Sequence, residues 1–176
     1  MNFVFNKKMI QCLDAHGIDI KADITISDDR EETSYIIIIK VRDLFSLSED
    51  LSILLKTDLS LSFLPALIYQ ETSDLLIIGL QNRTLFIDVK NKTVIQDVYL
   101  EFPLFYIYYV KESNSYLLVT ECKVLNYSGK GERLHSFCPN DIITETTIDN
   151  NQLRLKTDSM KTAVVDLISW TISPLG

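Results

Sequence analysis

Four prolines, Pro65, Pro103, Pro139 and Pro174, are the only ones in the chain, and they fall 38, 36 and 35 residues apart. Their contexts match: Ser62-Phe-Leu-Pro65, Glu101-Phe-Pro103, Ser136-Phe-Cys-Pro139 and Thr171-Ile-Ser-Pro174. Proline has no amide hydrogen to give to a strand ladder, so it belongs where a strand ends or at a sheet edge. A near-constant interval of this kind divides the chain into four like units, each too small to bury its own apolar face without a neighbour stacked on it.

Two further landmarks recur in the same order. Glu32-Thr-Ser-Tyr-Ile-Ile-Ile38, Glu71-Thr-Ser-Asp-Leu-Leu-Ile77 and Glu112-Ser-Asn-Ser-Tyr-Leu-Leu118 each run from a polar turn into an apolar strand, and Asp149-Asn-Asn-Gln-Leu-Arg-Leu155 fills the same slot in the fourth unit. Arg83-Thr-Leu-Phe-Ile-Asp-Val89 matches Lys161-Thr-Ala-Val-Val-Asp-Leu167, with weaker echoes at Lys123-Val-Leu-Asn-Tyr127 and Arg42-Asp-Leu-Phe45. The second unit reads as strand, turn, strand, turn, strand, turn, strand between 66 and 100, the spacing of a meandering antiparallel sheet.

Four strands per unit, with an Asp near the end of the third, resemble the blades of a WD-type β-propeller over residues 27 to 174. The Gly-His and Trp-Asp signatures of that family are absent. The resemblance implies an all-β fold of four propeller-like antiparallel four-stranded meanders, as a closed ring or an open arc. The expected layout is a single domain, 1–176, with an N-terminal helix and strand over 1–26 and repeats at about 27–65, 66–103, 104–139 and 140–174. The helix is expected over Lys7 to His16, where Met9, Cys12, Leu13 and His16 share a helical face and Gly17 offers a stop. A strand should follow over about Ile18 to Ile26, pairing with the last unit or capping the first. Between Ser46 and Lys56 a serine with a carboxylate three residues on leaves helix and strand in competition.

With 176 residues, 47% of them apolar, the chain can bury about 70% of its unfolded surface and folds without staples. The start of the chain has no secretory apolar region, and the longest strongly apolar stretch, Phe102 to Val110, is far too short to span a bilayer. Three cysteines at unrelated spacings, Cys12, Cys122 and Cys138, fit a reducing compartment better than a disulfide framework, so the expected location is the cytoplasm. The net charge of −7 opposes binding to a phosphate backbone, and no direct nucleic-acid ligand is expected. That charge is lopsided, with −6 on residues 1 to 88 and −1 on the rest.

The chemistry-bearing patterns are thin. Five scattered glycines write neither a P-loop nor a dinucleotide fingerprint, and Gly129-Lys-Gly131 reads as a hairpin turn. Cys12, His16, Cys122, His135 and Cys138 lack the tight paired spacings of a zinc motif, so neither metal nor cofactor is expected. His135 and Cys138, three apart on a strand, point to opposite faces and make a poor catalytic pair. Asp88 and Asp166 occupy matching positions, where an Asp more often fixes a turn by accepting backbone amides than it serves as acid or base.

Two features suggest a partner. Residues 14 to 32 hold seven acids against Lys21 and Arg30, enough to steer a basic protein and also ordinary for a solvated loop. Phe105-Tyr-Ile-Tyr-Tyr-Val110 is apolar on both faces, as in a strand buried between sheets, although tyrosine is also a favoured interface anchor. The candidate partner-binding residues are therefore Asp23, Asp28, Asp29, Glu31, Glu32, Tyr106 and Tyr108. In acidity, size and lack of catalytic motifs the chain is similar in kind to bacterial toxin-immunity proteins. That likeness implies a noncatalytic inhibitor of a basic toxin such as a nuclease. A scaffold or subunit of a larger complex is the alternative, and a carboxylate-based hydrolase the third.

Overall fold

The computed structural model describes residues 1–27, 35–57 and 66–175. Every regular element among these residues is a β-strand, so none of them forms a helix that could cross a membrane. The first sheet contains β1 (Asn2–Phe5), β2 (Lys8–Asp14), β3 (Ile24–Ser27), β4 (Tyr35–Asp43) and β5 (Glu49–Thr57). The second holds β6 (Ala66–Gln70), β7 (Leu75–Leu80), β8 (Arg83–Asp88) and β9 (Thr93–Tyr99), in chain order. The third holds β10 (Leu104–Val110), β11 (Ser115–Thr120), β12 (Val124–Ser128) and β13 (Arg133–Phe137), and the fourth β14 (Ile143–Asp149), β15 (Gln152–Thr157), β16 (Thr162–Asp166) and β17 (Ile172–Leu175). Both are antiparallel meanders throughout.

The chain divides into two compact units. One comprises Met1–Pro65, Tyr69–Ile77 and Ile87–Ile95, the other Ala66–Ile68, Ile78–Phe86 and Gln96–Gly176. In the first unit, the first sheet has the order β1-β2-β4-β5-β3. Its antiparallel meander β1-β2-β4-β5 carries β3 as a fifth strand, parallel to β5, with Ile24 opposite Ile53 and Ile26 opposite Leu55. Ile10, Cys12, Ile37, Ile39, Val41, Leu51, Ile53 and Leu55 fill one face of this sheet and are buried. In the second unit a single cluster joins Val110, Leu117, Val119 and Val124 of the third sheet to Ile143, Leu153, Leu155, Val165 and Leu167 of the fourth.

The structure corrects several expectations. The helix expected over Lys7 to His16 is β2: Ile10 and Cys12, two apart, are buried, and the ladders to β1 and β4 satisfy its backbone, so tertiary pairing overrides the helical spacing of Met9, Cys12, Leu13 and His16. The first sheet has five strands and one parallel pair rather than four antiparallel strands. The strand expected over Ile18 to Ile26 is confined to Ile24–Ser27 and sits at the edge of the first sheet. The open choice over Ser46 to Lys56 resolves to β5, because Ser46 gives its amide and hydroxyl to Asp43 instead of starting a helix. Pro103 and Pro139 lie between sheets, whereas Pro174 falls inside β17, an edge strand that tolerates the missing donor. Pro65 lies outside the described residues.

One turn is built repeatedly. Asp43, Asp88 and Asp166 each end the third strand of a meander, and each accepts amides two or three residues on: Phe45 and Ser46, Asn91, and Ile168 and Ser169. The residue four positions after each Asp, Leu47, Lys92 or Trp170, takes a positive φ. In the third sheet Ser128 takes the Asp's place, accepting the amides of Lys130 and Glu132, with Gly131 at φ 75°. The hairpin read from Gly129-Lys-Gly131 is this turn. The four carboxylate or hydroxyl caps replace the amide partners that a sharp reversal leaves unpaired.

Candidate protein-binding groove

Within the second unit, β10 and β14 are the first strands of the third and fourth sheets, and each is a sheet edge. Each ladder is irregular at the same place: the register slips between Leu104 and Tyr106 in β10, and between Ile143 and Glu145 in β14. A bulge inserts one unpaired residue, here Phe105 and Thr144. On a regular strand successive side chains point to opposite faces. The bulges break that rule, so the neighbours Phe105 and Tyr106 are both exposed, at 45% and 49%, and Thr144 and Glu145 are both exposed as well.

Between these segments lies a groove of about 390 Å³ lined by Leu104, Phe105, Tyr106, Ile143, Thr144, Glu145 and Thr146. A second depression of about 240 Å³ shares Glu145 and Thr146 and adds Arg154 and Lys156. Tyr106 and Tyr108 pack ring to ring at 5.9 Å along β10. Tyr108 then shares a 2.9 Å hydrogen bond with the hydroxyl of Thr146, a groove-lining residue, which ties β10 to β14, and its ring rests on the apolar cluster. Glu145 reaches Lys156 at 3.6 Å in solvent, a separation that contributes little and leaves the carboxylate open to other partners.

The sequence-derived candidates fare unequally. Tyr106 and Tyr108 are brought together, but β10 is less buried than a strand covered on both sides, because it is an edge and is bulged. Asp23 belongs to the first unit and is engaged internally: it accepts the Ser52 amide at 2.8 Å, the Ser52 hydroxyl at 3.1 Å and the Lys92 ammonium at 2.9 Å. The Lys92 ammonium, then the Ser52 amide, hold its carboxyl below the usual carboxylate range. Asp28, Asp29, Glu31 and Glu32 lie outside the described residues. Phe105, Thr144, Glu145 and Thr146 were not among the candidates. The signal that could have found them is the position of Leu104-Phe105-Tyr106 and Ile143-Thr144-Glu145 at the start of successive units, one residue past Pro103 and four past Pro139.

Groups that could have carried other chemistry serve the scaffold. Asp88 and Asp166 close turns. Asp141 accepts the amide and hydroxyl of Ser159 and the amide of Ile142; the Ser159 hydroxyl first, then Thr157, keep its carboxyl far below the usual range. Cys12 is buried, which pushes its thiol up to about 11. His135 stacks on Trp170, ring centroids 4.9 Å apart. Among the described residues no group of three or more His, Cys, Asp or Glu is placed to hold a metal ion.

No protein-family model matches the sequence, and no curated protein matches it. Among solved structures the chain is similar to the dihydro-heme d1 dehydrogenase NirN, with a TM-score of 0.60 and 10% identity over 80% of this chain and 34% of that one. It is also similar to Sqt1 of Saccharomyces cerevisiae, with a TM-score of 0.55 and 12% identity over 82% of this chain and 46% of that one. Both neighbours are propeller proteins, so the repeated sheets share that fold type. The chain spans less than half the length of either.

Proposed function

We propose that this chain is a noncatalytic protein-binding module that works as a scaffold or subunit of a larger assembly, with the β10–β14 groove as its contact surface. The observation that carries the reading is the pair of bulged edge strands, which leave Phe105 and Tyr106 in solvent along a groove that Leu104 and Ile143 also line. Aromatic side chains of this kind bring large contact area at small entropic cost, and an edge strand offers unpaired backbone groups beside them. The test is recovery of the tagged full chain from its native host. The expected result is a co-purifying protein in fixed proportion that is lost from the Phe105→Ala and Tyr106→Ala variants. Recovery of the chain alone, with hydrolytic activity of its own, overturns the reading.

The net charge of −7 supports a second reading, an acidic inhibitor of a basic toxin. Asp23 is occupied by Lys92 and Ser52, so the steering charge would come from other carboxylates. Salt separates the two: a toxin held by charge is released as ionic strength rises, whereas a partner seated on Phe105 and Tyr106 stays bound.

A further inference from the structure

We infer that the β10–β14 groove seats an arginine side chain of its protein partner, with the guanidinium held between the Glu145 carboxylate and the ring of Tyr106; this rests on the reading of the groove as the contact surface. The groove has two unlike walls. β10 contributes Phe105 and Tyr106, whose rings stand in solvent, and β14 contributes Glu145, whose side chain is 68% exposed. The register slips at Phe105 and Thr144 turn both walls outward. Glu145 lies opposite Lys156 in the ladder, but at 3.6 Å in solvent that contact leaves most of the carboxylate's acceptor capacity open. An aromatic face and a carboxylate attract the same ligand, a cation: the ring acts through its quadrupole, the carboxylate through charge and hydrogen bonds. The space of about 390 Å³ between them has room for one long side chain that touches both walls.

The same unit of the chain already uses this combination internally, at two places. Arg83 lies over the Tyr99 ring, 5.0 Å from its centroid, and forks onto Asp97, with Nε donating to Oδ1 at 2.8 Å and Nη2 to Oδ2 at 2.5 Å. Lys123 lies over the Phe102 ring at 5.3 Å and donates to the Glu101 carboxylate. In both places ring, carboxylate and cation all come from the chain; in the groove the chain supplies the ring and the carboxylate, and the partner supplies the cation. Arginine fits this geometry better than lysine. Its planar guanidinium can stack flat on an exposed ring while its edge forks onto a carboxylate, and it sheds water more readily than an ammonium. A single pair of this kind gives only a shallow dependence on salt, because the ring contact persists when the charges are screened.

The test titrates the isotope-labelled full-length chain with a short acetylated alanine peptide that carries one central arginine, and follows the chain by NMR. The expected result is a saturable set of shifts at Phe105, Tyr106, Thr144 and Glu145, with affinity reduced about fivefold in Glu145→Gln and about threefold in Tyr106→Leu. The same peptide with citrulline, an uncharged isostere, in place of arginine should bind the wild type about fivefold more weakly, a comparison that does not depend on how any variant folds. The inference is overturned if no saturable shift is seen, if the shifts fall outside the groove, if citrulline serves as well as arginine, or if Glu145→Gln binds like wild type. Failure of the underlying reading looks different. A native partner retained by Phe105→Ala and Tyr106→Ala sinks the groove as contact surface and the arginine with it. A partner lost from those variants but held at full strength by Glu145→Gln leaves the groove in place and overturns the arginine alone.

Discussion

The third and fourth sheets share one core, yet they are built by different rules. β11 is buried along its whole length and β12 along all but its last residue, so Leu117 and Leu118, pointing to opposite faces, are both inaccessible. In β15 burial alternates: Leu153 and Leu155 enter the apolar cluster, while Arg154 between them is exposed. The two strands have the same length and the same antiparallel pairing. What differs is whether one face or both are covered. A sheet covered on both sides needs continuous apolar runs, and one with a bare face needs a polar exterior, as end repeats of stacked folds do.

The strongest way to break this comparison is to truncate neighbouring residues. Leu117→Ala and Leu118→Ala should each destabilise by about 2–5 kcal/mol, because both leave cavities, and chemical denaturation reads the loss. A mild effect at either position would show that one face of β11 is not packed. Next in size is Gly79, where an added Cβ would stand 2.3 Å from Leu104 Cδ2 and 2.7 Å from Ile107 Cδ1 of β10. Gly79→Val should cost about 1–3 kcal/mol by overpacking, with recovery when Leu104 is shortened to Ala in the same chain.

Acid should then separate the two sheets, since the fourth uses carboxylates where the third uses a hydroxyl. The carboxyl of Asp166 is lowered by the Ser169 amide and hydroxyl, and that of Asp141 by the Ser159 hydroxyl. A lowered folded-state pKa means a contribution fully present above the unfolded value, about 3.9, and lost as pH falls through the folded one. Hydrogen exchange, corrected for intrinsic rates, should show the amides of Ile168, Ser169 and Ser159 losing protection in acid before those of Lys130 and Glu132, which Ser128 holds. Simultaneous loss would mean that the caps do not govern these turns. The smallest effect belongs to Arg154→Ala, expected within about 0.5 kcal/mol of wild type despite lying between Leu153 and Leu155.

Much of this plan was legible in the sequence because it repeats. Asp88 and Asp166 were readable as turn residues from their matching positions, and the structure has them accepting the amides of Asn91 and of Ile168 and Ser169. The strands of the second repeat, β6 to β9, were readable from turn residues at even spacing. The N-terminal region has no repeat to lean on, and there local spacing misled: Met9, Cys12, Leu13 and His16 suit a helix, but β1 and β4 supply a ladder that a lone segment cannot reveal. The parallel pairing of β3 with β5 joins residues about thirty positions apart, which no periodicity announces. Tyr106 and Tyr108 were candidates by residue type, and the structure sets them ring to ring on β10. The bulge that turns Phe105 outward beside Tyr106 was not, since it arises from a slip in pairing rather than from either side chain.

The recurring turn has a consequence for how such a chain can change. Asp43-Leu-Phe-Ser-Leu-Ser48 and Asp166-Leu-Ile-Ser-Trp-Thr171 form the same closed ring of bonds, each Asp amide answering the carbonyl of the residue five ahead. The geometry is thus dictated by the first and fourth residues. The third, occupied by Phe45, Lys90, Lys130 and Ile168 in the four turns, serves the turn through its backbone and holds its side chain in solvent; Phe45 is 80% exposed and Ile168 65%. These four tips are a ready-made palette for mutation or grafting, where new recognition chemistry can be written while the sheets beneath keep their form.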